Sequence, residues 1–132
     1  MKTKYMKRVL GDKTKIDERT FEFALKIVQA YKFLVGRKEY VLSKQLLRAG
    51  TSIGANVQEA QAAQSRKDFA SKMSIASKEA RETLYWLRLL AKSGFFNGYS
   101  PFDDMYTEIR SIINIITRIV KTTNEKNPKS KT

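Results

Sequence analysis

Two carboxylates three residues apart, Glu79 and Glu82, fall on one helical stripe with Ile75 and Trp86. Paired carboxylates can bridge two metal ions, carry out acid–base hydrolysis or hold a cation. In helical bundles the first chemistry takes its remaining ligands from Glu-x-x-His pairs, and this chain has no His. Hydrolysis by a carboxylate pair needs a substrate cleft, which no feature of the sequence announces. The third reading gives the pair a basic partner, for which Arg48 is the natural candidate.

Arg48 opens the stretch RAGTSIGANVQEA. At about 100° per residue, Arg48, Ser52, Asn56 and Glu59 fall within roughly 80° of one another, beside an apolar face. They form either an ordinary solvated face or a polar seam between helices or subunits that includes Glu79 and Glu82. Such a seam would fix register more than it adds stability. Gly50 and Gly54 lie in the same stretch. A phosphate loop needs G-x-x-x-x-G-K-[ST] after a strand, whereas here no Lys follows the second glycine and the flanks are helical. Glycines four apart among small residues instead let two helix backbones approach closely. Each costs about 1 kcal/mol against Ala inside a helix, so close packing must offset it. The expectation is close helix packing at Gly50 and Gly54, extending to a subunit interface.

The remaining chemistry is basic. Lys67, Lys78, Arg81, Arg88 and Lys92 cluster within roughly 80° on one helical face, and Tyr85 on the same side offers a ring for base stacking. No RNP motif and no KH-type loop accompanies them, so this face would contact phosphates without reading bases. The whole chain carries a net charge of +13 on 132 residues, spread along its length and not gathered in a block. This balance suits an anionic partner, and equally a basic surface kept for solubility. With no Cys and no His, disulfides, thiolate metal sites and the usual general base are all absent. The expected protein is non-enzymatic, without metal or cofactor.

These residues are positioned by apolar repeats of helical period. A first helix is expected from Asp17, as N-cap, to Gly36, with Phe21, Ala24, Leu25, Val28, Tyr31 and Val35 as its core stripe. A second runs from about Glu39 to Ala63. Ser65 followed by Asp68 marks the N-terminus of a third, whose seam includes Phe69, Met73, Ala76, Ala80, Leu84 and Leu87. Ser100, Pro101, Asp103 and Asp104 mark a fourth. Its isoleucines cover about half the circumference, wider than the ~100° that one core contact requires. Four helices with short links predict an all-α fold, an antiparallel up-and-down four-helix bundle over residues 17–121. A basic N-terminal arm (residues 1–16) and a disordered tail (residues 122–132) flank it. No membrane-spanning run and no Sec-type apolar core is present, so a cytoplasmic protein is expected.

One string carries a family resemblance. Gln45, Arg48, Ala49, Ser52, Ile53, Asn56 and Glu59 match a Q-x-x-R-A-x-x-S-I-x-x-N-x-x-E pattern. Lys67, Asp68 and Phe69 match a following K-D-F, and Ile75, Ala76, Glu79 and Glu82 match I-A-x-x-E-x-x-E. Together they resemble the four-helix-bundle family encoded in intervening sequences of bacterial 23S rRNA genes. Ala60 departs from it, standing where Gly is usual, so the second helix is expected to continue further. The resemblance spans about residues 17–121 and implies an up-and-down bundle that forms a homo-oligomer, typically a pentamer. It also implies nucleic-acid binding by way of one similar protein, the accessory variability protein of diversity-generating retroelements.

The leading expectation is therefore an oligomeric basic bundle that binds structured RNA or RNA–DNA hybrid through phosphates. The alternative is a protein–protein scaffold, motivated by the wide apolar arc of the fourth helix.

Overall fold

The computed structural model describes residues 15–125. The expected N-terminal arm, up to residue 14, and the tail from residue 126 lie outside the described residues. The described chain forms four helices: α1 (Ile16–Gly36), α2 (Leu42–Gln61), α3 (Arg66–Lys92) and α4 (Phe102–Glu125). Each helix packs most extensively on its neighbours in sequence, and α1 against α4 closes the bundle. Short links force consecutive helices to run antiparallel. Among the described residues no helix is long and apolar enough to cross a membrane.

The links show how local chemistry stops and starts the helices. At the end of α1, Glu39 N–H donates to Leu34 O and Lys38 N–H to Val35 O, the Schellman pattern. The left-handed residue is Lys38 (φ 68°), so Gly36 is the last helical residue and not the turn glycine. Glu39 then caps α2, its carboxylate accepting from Ser43 N–H at 2.5 Å. This cap delays the helix from the expected Glu39 to Leu42, and α2 also ends at Gln61, short of the expected Ala63. Ser65 caps α3 as its motif predicts, accepting from Asp68 N–H at 3.0 Å. Gly94 (φ 85°) closes α3 through a second Schellman pattern, Phe95 N–H donating to Leu90 O.

Beyond the bounds of α2, three expectations need correction. The Asp17 cap is not used: α1 begins at Ile16, and Asp17 and Glu18 occupy its first turn, where the dipole favours them. The core stripe of α1 is also rotated. Ile16, Thr20, Phe23, Ile27, Ala30 and Leu34 are buried, while Phe21 (57% exposed) and Leu25 (48%) face solvent. Both stripes have helical spacing, so periodicity could not choose between them; packing against α2 did. Finally, α4 continues through Thr122–Glu125, with Thr123 buried and its hydroxyl bonded to Ile119 O.

The wide arc of α4 is absorbed internally. Ile109, Ile112, Ile113, Ile115, Ile116 and Ile119 are all buried in the chain's own core. The observation that motivated a docking surface on α4 is thus removed. At one end of the bundle the core turns aromatic: Phe33 packs on Tyr99 at 4.4 Å between centroids, and Arg37 lies over the Phe33 ring at 5.0 Å. Partial burial raises the Tyr99 phenol pKa.

Candidate nucleic-acid interface

The longest helix, α3, buries Phe69, Met73, Ala76, Ala80, Thr83, Leu87 and Leu90, so its opposite side must face solvent. Lys67, Lys78, Arg81, Tyr85, Arg88 and Lys92 are all exposed there. From Lys67 to Lys92 this face is about 37 Å long. Tyr85, 56% exposed, meets the Trp86 ring edge-on at 5.0 Å.

Tertiary structure adds a second helix to this face. Arg81 Nη2 donates to Thr117 Oγ1 of α4 at 3.1 Å. A hollow between the helices is lined by Ser74, Ser77, Lys78, Arg81, Thr117, Val120 and Lys121. A second hollow, also bounded by Arg81, is lined by Leu84, Arg110, Ile113 and Asn114. Arg110, Thr117 and Lys121 were not singled out in the sequence. Their steps of seven and four place them within roughly 40° on α4, a weak signal beside the stronger isoleucine repeat.

The polar residues of α2 face the other side of α3. Arg48 Nη1 lies 3.3 Å from Glu79 Oε1, and Arg48 Nη2 bonds to Glu82 Oε2. Glu82 Oε2 also accepts from Trp86 Nε1 at 2.9 Å. Glu59 pairs with Lys72 of α3 at 2.9 Å, and this contact raises the Lys72 pKa. Ser52 and Asn56 do not join these cross-helix contacts. The Ser52 hydroxyl donates to Arg48 O and the Asn56 amide to Ser52 O, both within α2. The expected seam is therefore two separate clasps between α2 and α3, partly exposed, and not one internal network. Among the described residues no group of three or more acidic side chains has metal-binding geometry.

Gly50 and Gly54 bring α2 against α1 of the same chain. A Cβ on Gly50 would stand 2.6 Å from Ile27 Cγ1, and one on Gly54 would stand 3.2 Å from the Thr20 carbonyl oxygen. The close packing is intramolecular, so the expected extension of this glycine face to a subunit interface is corrected: α1 already occupies it. Its outer margin remains open as an apolar hollow lined by Phe21, Ala24, Thr51, Gly54, Ala55 and Gln58.

A family model for the 23S rRNA-intervening sequence protein matches residues 12–118. Among solved structures, the chain is similar to a protein of unknown function from the S23 ribosomal protein family of Bacteroides thetaiotaomicron. The two share 46% identity and a TM-score of 0.76, over 80% of this chain and 98% of that one. No curated protein matches the chain. With the matched residues running from before α1 into α4, and the bundle shared with that structure, the chain belongs to the 23S rRNA-intervening sequence protein family.

Proposed function

We propose that the protein is a non-enzymatic, oligomeric basic bundle that binds structured RNA or RNA–DNA hybrid through phosphate contacts. The observation carrying this reading is the exposed cationic face of α3, at which Arg81 is tied to α4. Membership of a family named for 23S rRNA intervening sequences makes RNA the first polymer to test. Fluorescence anisotropy with a labelled RNA hairpin and with an RNA–DNA hybrid tests it directly. Affinity should fall steeply with salt, with a slope of about −0.9 per neutralised phosphate. Failure to bind either probe in low salt overturns the reading.

For assembly, the exposed apolar face of α1 replaces the face first expected. Phe21 and Leu25 project beside the apolar hollow between α1 and α2, so one surface carries both knob and hole. A knob of one subunit entering the hole of the next is a heterologous contact, which closes into a ring, and a pentamer is the size the family resemblance implies.

The same face supports the second reading, a scaffold for a different protein with the charge kept for solubility. Pull-down from nuclease-treated lysate separates the two: a scaffold keeps its partner, whereas a nucleic-acid binder loses what RNA tethered.

A further inference from the structure

We propose that the trough between α3 and α4 is a seat for the sugar–phosphate backbone of a nucleic-acid strand, gripped on both sides of Arg81. The proposal rests on the nucleic-acid reading above and places the bound strand where two helices meet, not on α3 alone.

Three observations converge on the trough. The first is charge that the fold leaves unneutralised. Arg19, Arg48 and Lys72 pair with carboxylates on the α1–α4 and α2–α3 sides. Lys78, Arg81, Arg110 and Lys121 form no ion pair with a described carboxylate, and no Asp or Glu lines either hollow. The second is hydroxyl donors beside those cations. Ser74, Ser77 and Thr117 line the larger hollow, of about 350 Å³. Side-chain hydroxyls and cations are the groups that bond phosphate oxygens in nucleic-acid complexes. Thr117 also receives a bond from Arg81, which holds the guanidinium over the trough where the two hollows meet.

The third is shape. From Ser74 to Leu84 the trough extends about 15 Å along α3, longer than one small anion fills. Val120 in the larger hollow, and Leu84 and Ile113 in the other, add apolar lining against which sugars can rest.

The test uses the full chain and a fluorescein-labelled RNA hairpin. The variant Arg81→Gln/Lys121→Gln removes two trough charges; Lys26→Gln/Lys32→Gln removes two exposed charges from α1 as a control. Ser77→Ala/Thr117→Val removes two trough hydroxyls with the net charge unchanged. All six side chains lie at the surface or are partly exposed, and circular dichroism verifies that each variant is folded.

The trough variant is expected to raise Kd at least ~10-fold over the control. Its salt slope should flatten by roughly 1.4–1.8, which is 0.7–0.9 for each phosphate left without its cation. The hydroxyl variant should raise Kd by ~3-fold or more. Equal effects in the trough and control variants overturn the seat but leave nucleic-acid binding standing. Absence of binding by the unaltered protein overturns both. Displacement of the hairpin by poly-glutamate at equal charge concentration, abolished in the trough variant, overturns the seat in favour of an acidic protein segment.

Discussion

The Arg48 guanidinium of α2 lies 3.3 Å from the Glu79 carboxylate of α3, and the same arginine binds Glu82, which in turn accepts the Trp86 indole N–H. One basic residue thereby occupies both members of the carboxylate pair. The arrangement is a clasp between adjacent helices, held at a surface where Arg48 remains 48% exposed.

Exposure limits what the clasp contributes to stability. Arg48→Ala is expected to cost at most about 1 kcal/mol in urea denaturation, as solvated ion pairs do. Glu82→Leu also removes the bond to Trp86, the only tryptophan of the chain. Its fluorescence maximum should move to shorter wavelength more in Glu82→Leu than in Arg48→Ala. Equal shifts would show that the indole bond is not formed in solution.

Gly50 gives a larger effect. The Cβ of Gly50→Ala would fall within 3 Å of three Ile27 side-chain atoms, and Ile27 is fully buried with nowhere to move. Overpacking of about 1–3 kcal/mol is expected, against a gain of about 1 kcal/mol in helix propensity. In the double variant with Ile27→Ala the two costs should be less than additive. Gly54→Leu, which drives a side chain at the α1 backbone, should destabilise more than Gly50→Ala. Unchanged denaturation midpoints in all of these would refute the intramolecular packing.

Arg19 and Glu108 tie α1 to α4 by two bonds of 3.0 and 2.8 Å, with Ser111 adding a third. The hydrogen bond to Glu108 raises the Arg19 pKa above an already high value. A base with a raised pKa contributes stability below it and loses that contribution only as pH rises through it. On the basic side, then, the pair should be insensitive to pH. A double-mutant cycle of Arg19→Met with Glu108→Met should return the same coupling, about 1 kcal/mol, near pH 7 and near pH 9. A coupling that disappears between those values would contradict this assignment.

Assembly is tested at α1. Phe21→Ser/Leu25→Ser removes two exposed apolar side chains and should leave the monomer folded. Light scattering is expected to show a smaller species than the unaltered protein. If the two masses are equal, assembly does not use this face.

The sequence by itself determined the four helices, the end of α1 and the start of α3, while the start of α1, both ends of α2 and both ends of α4 shifted by one to four residues. Caps and stop residues act within a few positions, so Ser65 with Asp68 was legible without neighbours. It also determined the two glycines and the cationic face of α3, because residue type and helical spacing suffice for both. Tertiary structure decided which face each helix buries where two apolar stripes compete. On α1 it chose Phe23 and Ile27 over Phe21 and Leu25, since Gly50 and Gly54 admit Ile27 and Thr20 against α2. It also decided that the isoleucines of α4 belong to one core, and that Arg110, Thr117 and Lys121 stand opposite Lys78 and Arg81. Spacing along one helix cannot reveal a trough between two, because it depends on the rotation of each helix about its own axis, and packing alone sets that rotation.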